Sequence, residues 1–233
     1  MIGIIGAMDE EVTELKKLLT DETVITKAGM SFHKGTLYNK DVVIVRSGIG
    51  KVNAGICAQI LVDLFDVSSI INTGIAGSLN ADIDICDIVL SSDALQHDMD
   101  AVAFGYEPGV IPRMDTSVFK GDKRLISLAG QSIHNINPDL NVFEGRVVTG
   151  DQFISSHEKK QWLVKMFNGD CTEMEGAAIA QAAHLNNVPF IIIRAISDKA
   201  DNSASMDYPE FEAEAIKNSV MLLCEMIKNW DNY

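Results

Sequence analysis

The sequence predicts a single α/β domain that spans residues 1–233. Apolar runs of roughly five to eight residues recur along the chain and alternate with amphipathic stretches, a pattern typical of strands separated by helices. The chain has 233 residues, of which 47% are hydrophobic, so it can bury one substantial core. No Ser/Gly-rich linker, internal repeat or low-complexity segment divides it.

Strands are predicted where a short apolar or alternating run is bounded by turn residues. They cover residues 2–7, 24–27, 31–38, 42–46, 69–73, 87–92, 141–149, 171–174 and 188–196. Helices are predicted at residues 10–19, 48–65, 176–186 and 209–228, the last starting at Pro209, a residue that suits the first helical position. Small residues predict a loop at 74–78, and glycines and prolines predict a long loop at 101–117. Residues 97–100 contain His and Asp, but alternation along a strand explains them more simply than metal binding.

The charge composition bears on partners and location. The chain carries 33 acidic and 19 basic residues, and its net charge of −14 repels phosphate backbones and anionic lipid. Neither nucleic acid nor a membrane is therefore an expected partner. The N-terminus lacks the basic start of a secretory signal, and residues 188–193 are too few to cross a bilayer. Four scattered cysteines predict free thiols in the cytoplasm rather than a zinc site.

Two glycine motifs resemble nucleotide-binding loops without completing them. Gly48-x-Gly50 has Asn53 where a dinucleotide-binding loop has its third glycine. Val45 and Val52 stand where a P-loop has its first glycine and its Ser/Thr. A tight turn from strand to helix is the better interpretation.

Three acidic residues fall near the carboxyl ends of predicted strands, the edge at which open α/β sheets bind ligands: Glu11, Glu175 and Asp198. By position alone, Glu11 is better explained as a solvated charge that the helix dipole stabilises. Arg194 lies inside the apolar strand 188–196 and requires a carboxylate partner, because an unpaired buried guanidinium costs several kcal/mol. Arg194 either neutralises an acid as a structural pair or orients one for catalysis.

Seven short segments, spread in order over nearly the whole chain, also match a known family. They are Ile4-Ile-Gly-Ala-Met-Asp-Glu-Glu-Val12, Ser47-Gly-Ile-Gly-Lys-Val52, Ile71-Asn-Thr-Gly74, Ala103-Phe-Gly-Tyr-Glu107, Gly150-Asp-Gln-Phe-Ile154, Glu173-Met-Glu175 and Arg194-Ala-Ile-Ser-Asp198. As a set they resemble the 5′-methylthioadenosine/S-adenosylhomocysteine nucleosidases.

The resemblance implies a nucleoside phosphorylase-like fold, a three-layer α/β/α domain with a mixed, twisted central sheet, assembled as a homodimer. It implies that the whole chain is one nucleosidase domain acting on small-molecule adenine nucleosides. The expected reaction is hydrolysis of the N-glycosidic bond of 5′-methylthioadenosine and S-adenosylhomocysteine, which releases adenine and the 5-substituted ribose. This reaction would serve methionine salvage and methyl-cycle recycling. No metal or other cofactor is expected.

The resemblance also assigns catalytic roles to residues. Asp198 would protonate or hydrogen-bond adenine N7, and Glu11 would activate water. Glu175 would bind the ribose hydroxyls, with Arg194 behind it and Met174 against the sugar. These residue types suit the reaction, because the sugar gains positive charge and the base negative charge as the bond breaks.

The remaining implied residues bind substrate. Phe153 would stack on adenine, while the backbone of Ile154 reads its edge. Met8, Ile49 and Tyr208 would line the pocket for the 5′ substituent, and Phe104 and Pro112, from the long loop, would reach the partner subunit's site. Ile75, near the water or sugar, and Ser197 complete the expected substrate-binding residues.

The sequence departs from the family at three of these positions. Ile75 stands where the family usually has Ser, Tyr208 where Phe is common, and Gly176 where Ala is frequent. These differences bear on the preferred 5′ group more than on the reaction.

Two classes of alternative remain open. One is a related enzyme, either a nucleosidase for 5′-deoxyadenosine or aminodeoxyfutalosine, or a phosphorolytic purine nucleoside phosphorylase. Phosphorolysis requires arginines that bind phosphate, and the acidic run Asp9-Glu10-Glu11 opposes it. The other is an inactive nucleoside-binding or sensor protein, against which the three acidic residues argue.

Overall fold

The computed structural model describes residues 1–232, and its strands and helices alternate along the chain. The strands are β1 (Ile2–Gly6), β2 (Thr20–Lys27), β3 (Met30–Leu37), β4 (Lys40–Arg46), β5 (Ser69–Ser78), β6 (Ile88–Gln96), β7 (Phe119–Lys120), β8 (Val142–Thr149), β9 (Cys171–Glu173) and β10 (Phe190–Asp198). The helices are α1 (Asp9–Lys17), α2 (Lys51–Phe65), α3 (Lys123–Ile136), α4 (His157–Phe167), α5 (Gly176–Leu185) and α6 (Ala204–Lys228).

The strands within residues 1–232 form one mixed sheet in the order β10-β6-β8-β9-β5-β1-β4-β3-β2, with β7 beside β6. Strand β1 runs parallel to β4 and β5, and β10 runs parallel to β5. Strand β10 also pairs with β6, so β5, β9, β8, β6 and β10 close into a ring. Because β1, β5 and β10 are parallel, their carboxyl ends meet at one edge of the sheet.

Helices cover both faces of the sheet and give the predicted three layers. Helices α2 and α5 pack together over one apolar cluster, and α1, α3 and α6 pack over another. The central strands are buried on both faces, and β1 therefore reads as the apolar run Ile-Gly-Ile-Ile-Gly. In residues 1–232 no helix combines the length and the apolar composition that a membrane crossing needs.

The predicted loop at residues 74–78 is wrong, because β5 continues through it to Ser78. These small residues are fully enclosed, pairing with β10 on one side and with β9 at Gly77 and Ser78. Neighbouring side chains leave little room at these positions, so most of the residues are small. Their composition therefore resembles that of a loop. An added Cβ at Gly77 would lie 2.7 Å from Asp198 Oδ1.

Two further predicted boundaries differ from the structure. Strand β6 ends at Gln96, so residues 97–100 form a turn and not the alternating strand predicted for them. Helix α6 begins at Ala204, so Pro209 lies inside the helix rather than at its start. This is tolerated near the N-terminus, where the missing N–H removes one hydrogen bond early in the helix.

Helices α3 and α4 were not predicted from the sequence, although a side chain caps the N-terminus of each. Asp122 accepts hydrogen bonds from the backbone N–H groups of Arg124 and Leu125 at 2.9 and 3.0 Å. Ser156 accepts one from Lys159 N at 3.2 Å. An N-cap residue followed by an apolar periodic pattern predicts a helix start, so this signal was present in the sequence.

Candidate active site

A cavity of about 490 Å³ lies at the edge where β1, β5 and β10 end. Most of the predicted site residues line it: Met8, Glu11, Ile49, Ile75, Phe153, Met174, Glu175, Ser197, Asp198 and Tyr208. Sequence analysis did not predict the other lining residues, which are Ala7, Ala76, Gly77, Thr172, Glu173, Ser205 and Pro209. Most of these are small or belong to strands, so their types gave no functional signal.

Glu11 is buried at the cavity floor rather than solvated at the helix surface, which corrects the interpretation from position alone. Its Oε2 accepts hydrogen bonds from Ala7 N at 2.6 Å and Met8 N at 3.0 Å, and its Oε1 accepts one from Ile75 N at 3.3 Å. Burial raises the pKa of Glu11, while Arg194 and these N–H groups oppose the rise. A carboxylate with a raised pKa accepts a proton more readily than an exposed one does.

Arg194 is buried and forms its ion pair with Glu173, a residue that was quoted in a family segment but not predicted as part of the site. Its Nη2 also donates to Asn72 Oδ1 at 2.6 Å. Glu173 accepts a hydrogen bond from Gly176 N at 2.7 Å and another from the Thr149 hydroxyl. Although burial works against it, the Arg194 guanidinium holds the pKa of Glu173 below its usual value. Glu173 is thus the carboxylate partner that Arg194 requires.

Glu175 lies two residues beyond this ion pair and lines the cavity. Its Oε1 accepts a hydrogen bond from Gly50 N at 2.8 Å. Burial, followed by repulsion from Glu173, raises the pKa of Glu175 to about 8, and Arg194 offsets only part of this. Glu175 is therefore mostly protonated at neutral pH, whereas Glu173 is ionised.

Asp198 ends β10 at the opposite side of the cavity and is also buried. Its Oδ1 accepts a hydrogen bond from Ala200 N at 2.8 Å, and its Oδ2 accepts one from the Ser197 hydroxyl at 2.9 Å. Burial raises the pKa of Asp198, and these hydrogen bonds oppose the rise. The rise favours the protonated carboxyl group, the form that donates a proton.

Aromatic and apolar side chains form the rest of the wall. The rings of Phe153 and Tyr208 meet edge to face, with centroids 6.0 Å apart. Phe153 is half exposed, and so it can present a ring face to a flat ligand. Ile154 does not line the main cavity, but it lines a smaller adjoining one together with Met174 and Asp198.

Three predicted residues lie outside the cavity wall. Arg194 is 2% exposed and sits behind Glu173 and Glu11. Phe104 and Pro112 belong to the long 101–117 loop and do not line the cavity of their own chain. Within the part of the chain that the structure describes, no three His, Cys, Asp or Glu side chains are grouped to hold a metal ion.

Comparison with known proteins agrees with this geometry. The sequence profile of the phosphorylase superfamily matches residues 1–228. A 5′-methylthioadenosine/S-adenosylhomocysteine nucleosidase of Staphylococcus haemolyticus is 42% identical over 98% of this chain and 99% of its own length. The chain belongs to this nucleosidase family.

Solved structures extend the comparison to the fold of the nucleosidases. The nucleosidase of Neisseria meningitidis, in complex with methylthio-immucillin-A, superposes with a TM-score of 0.94 at 35% identity, covering 98% of both chains. Futalosine hydrolase of Helicobacter pylori superposes with a TM-score of 0.93 at 34% identity, covering 98% of this chain and 97% of its own.

The close packing at Gly74 gives a test of the position of Glu11 in this nucleosidase. A methyl group at residue 74 would lie 2.5 Å from Glu11 Oε1 and 3.0 Å from Arg194 Nη1. Gly74→Ala should therefore displace the Glu11 carboxylate and lower kcat by roughly a hundredfold, the effect of misplacing a reacting group by about 1 Å. Gly130→Ala, on a helix with open space around it, is the matched control. Full turnover by a folded Gly74→Ala protein would contradict this account.

The raised pKa of Glu175 predicts a specific pH dependence of stability. Between its ordinary pKa of 4.5 and about 8, the folded protein binds one more proton at Glu175 than the unfolded chain does. The contribution of Glu175 to the free energy of unfolding is therefore complete at low pH and falls by about 1.4 kcal/mol per pH unit across this window. Urea unfolding from pH 5 to 8 should show that Glu175→Gln removes this decline, whereas Glu158→Gln, at an exposed site on α4, retains it.

Proposed function

We propose that this protein hydrolyses the N-glycosidic bond of 5′-methylthioadenosine and S-adenosylhomocysteine, releasing adenine and the 5-substituted ribose. The observation that carries the proposal is the buried Glu11 carboxylate, which occupies the N–H groups of Ala7 and Met8 at the cavity floor. A phosphorolytic enzyme would need such donors for a phosphate anion. Here a carboxylate takes them and opposes an anion, which favours water as the nucleophile.

The proposed mechanism divides the charges of the reaction among three carboxyl groups. Asp198, with its raised pKa, donates a hydrogen bond or a proton to adenine N7 as the base departs. Glu11 removes a proton from the attacking water. Glu175 releases its proton to solvent when the substrate binds and then accepts hydrogen bonds from the ribose hydroxyls; both these donors and the cationic sugar favour its ionised form. The charge on Glu175 therefore stabilises the cationic transition state more than the neutral bound substrate.

Several expected details enter here as part of the proposal. The reaction serves methionine salvage and methyl-cycle recycling, and it takes place in the cytoplasm. Burial raises the pKa of the Cys57 and Cys171 thiols, so both are unreactive free thiols compatible with that compartment. Phe153 stacks on adenine, and Met8, Ile49 and Tyr208 enclose the 5′ substituent.

A second candidate substrate is a futalosine-type nucleoside. It is favoured by the similarity to futalosine hydrolase of Helicobacter pylori, which matches the fold as well as the nucleosidases do. The same three carboxyl groups would serve either substrate, because the bond that breaks is the same. Aminodeoxyfutalosine, the futalosine-type nucleoside that carries adenine, differs from 5′-methylthioadenosine at the 5′ end alone.

Product analysis tests the proposed function. Adenine should appear from 5′-methylthioadenosine and S-adenosylhomocysteine together with a free reducing sugar, at the same rate with and without phosphate. A sugar 1-phosphate formed in the presence of phosphate would reject hydrolysis. Asp198→Asn should remain folded and lose about 10²–10⁴-fold in kcat, the usual contribution of general acid catalysis. Near-normal turnover by this variant would reject the role given to Asp198.

We further propose that the protein is a homodimer and that the 101–117 loop completes the partner's site. The support is an exposed apolar face: Phe104 is 84% exposed, Val52 on α2 is 72% exposed, and Leu185 at the end of α5 is 62% exposed. Helices α2 and α5 pack side by side, and Gln181 of α5 contacts Met114 of the 101–117 loop, so the three residues belong to neighbouring elements. Burial of one Phe contributes roughly 1.5–3 kcal/mol, which favours association through this face.

The dimer proposal predicts a substrate-dependent effect of Phe104→Ala. The variant should weaken binding of nucleosides with apolar 5′ groups more than binding of adenosine, because Phe104 would cover the 5′ end of the partner's site. Val24→Ala, at an exposed apolar position on the edge strand β2, is the matched control. Analytical ultracentrifugation should detect a dimer at assay concentrations, and a fully active monomer would end the proposal.

A further inference from the structure

One end of the cavity is built by α6. Ser205, Tyr208 and Pro209 line it there. The Tyr208 hydroxyl lies 3.1 Å from Glu212 Oε1 and 3.5 Å from Met8 Sδ. Glu212, a partly buried carboxylate one turn further along α6, is therefore connected to the cavity wall by the Tyr208 hydroxyl.

Two hydrogen-bond acceptors stand at or next to this end of the cavity. When it is ionised, Glu212, which lies behind Tyr208, can only accept hydrogen bonds. Pro209 has no backbone N–H, so the carbonyl of Ser205, four residues earlier, lacks its usual helical donor. Burial, followed by the charge of Glu212, raises the pKa of Tyr208, which keeps the phenol neutral. Its one proton is directed to Glu212, and its oxygen can then accept a further hydrogen bond.

Carboxylates are the charged groups that act most strongly on Tyr208. Besides Glu212, the carboxylates of Glu11 and Glu10 raise the pKa of Tyr208 through their negative charge. A ligand group that donates hydrogen bonds and carries positive charge is therefore attracted to this end, whereas an anionic group is repelled.

We propose that Tyr208, Glu212 and the Ser205 carbonyl form a subsite that selects substrates by the charge at the end of the 5′ substituent, favouring an ammonium group over a carboxylate. The inference rests on the proposed function, because it places the 5′ end of an adenine nucleoside against α6. The methyl group of 5′-methylthioadenosine offers these acceptors nothing to bind. The homocysteine tail of S-adenosylhomocysteine carries an ammonium group that they can bind, next to a carboxylate that can turn toward solvent.

The test uses adenosines whose 5′-thioether tails differ in charge. The substrates are 5′-methylthioadenosine, S-adenosylhomocysteine, 5′-S-(3-aminopropyl)thioadenosine and 5′-S-(3-carboxypropyl)thioadenosine. Adenine release gives kcat/KM for each, divided by the value for 5′-methylthioadenosine. The aminopropyl substrate should exceed the carboxypropyl substrate by about tenfold or more, as expected for a charge-assisted hydrogen bond.

Variants then assign this preference to the subsite. Glu212→Gln should bring the ratio of aminopropyl to carboxypropyl substrate to about two or less, since a neutral amide replaces the charge at the same volume. Glu214→Gln is the matched control, because Glu214 is exposed and faces Cys86 on another side of α6. Its ratio should equal that of the unmodified protein. Tyr208→Phe should also lower the ratio, and it provides a second measurement if Glu212→Gln folds poorly.

The outcomes separate the subsite from the reaction. If 5′-methylthioadenosine is cleaved but the two charged tails react equally, the subsite is rejected and the proposed function stands. A tenfold ratio that survives both Glu212→Gln and Tyr208→Phe rejects the subsite as well. Failure to release adenine from any of the four substrates rejects the nucleosidase function, and the subsite with it.

Discussion

The Arg194 guanidinium is the positive charge around which the buried carboxylates of the site are arranged. Glu173 takes the direct ion pair, and Glu11 and Glu175 interact with Arg194 at longer range. One guanidinium cannot balance three buried negative charges, because each ionised carboxylate out of water needs its own compensation. Burial and repulsion therefore raise the pKa of Glu175 to about 8, while Glu173 remains ionised. Glu175 thus retains its proton at neutral pH, and in the proposed mechanism the ribose hydroxyls and the cationic sugar favour its release.

Small residues of β5 allow these charged groups to approach one another. Gly74 and Gly77 lie where any side chain would collide with Glu11 and Asp198, respectively. Strand β5 is paired along its length with β1, β10 and β9, so its backbone cannot move aside to admit a larger residue. The ring of strands that includes β5 thus fixes the separation between Asp198 and Glu11.

The two ends of the cavity are built from different kinds of structure. The groups assigned to the base and the ribose stand at or beside strand ends, whose positions are set by hydrogen bonds between strands. The part of the cavity proposed to hold the 5′ substituent is lined instead by α6 and by Met8 and Ile49, which precede α1 and α2. A helix surface residue such as Tyr208 or Glu212 can change without altering the sheet. Under the proposed roles, the reaction depends on the strands, and the choice of 5′ substituent depends on the helix.

The alternation of apolar runs, together with the family resemblance, was enough to predict the α/β class, the mixed sheet and most of the residues that line the cavity. Glu11, Glu175 and Asp198 stand next to strand ends, and parallel strands bring such ends together, so their convergence was predictable. Glu173 as the partner of Arg194, the burial of Glu11 and the extension of β5 through 74–78 were decided by tertiary structure. A pairing across the sheet and the desolvation of a carboxylate depend on neighbours distant in sequence. Local pattern therefore shows that Arg194 needs an acid, and only the folded chain determines which acid it receives.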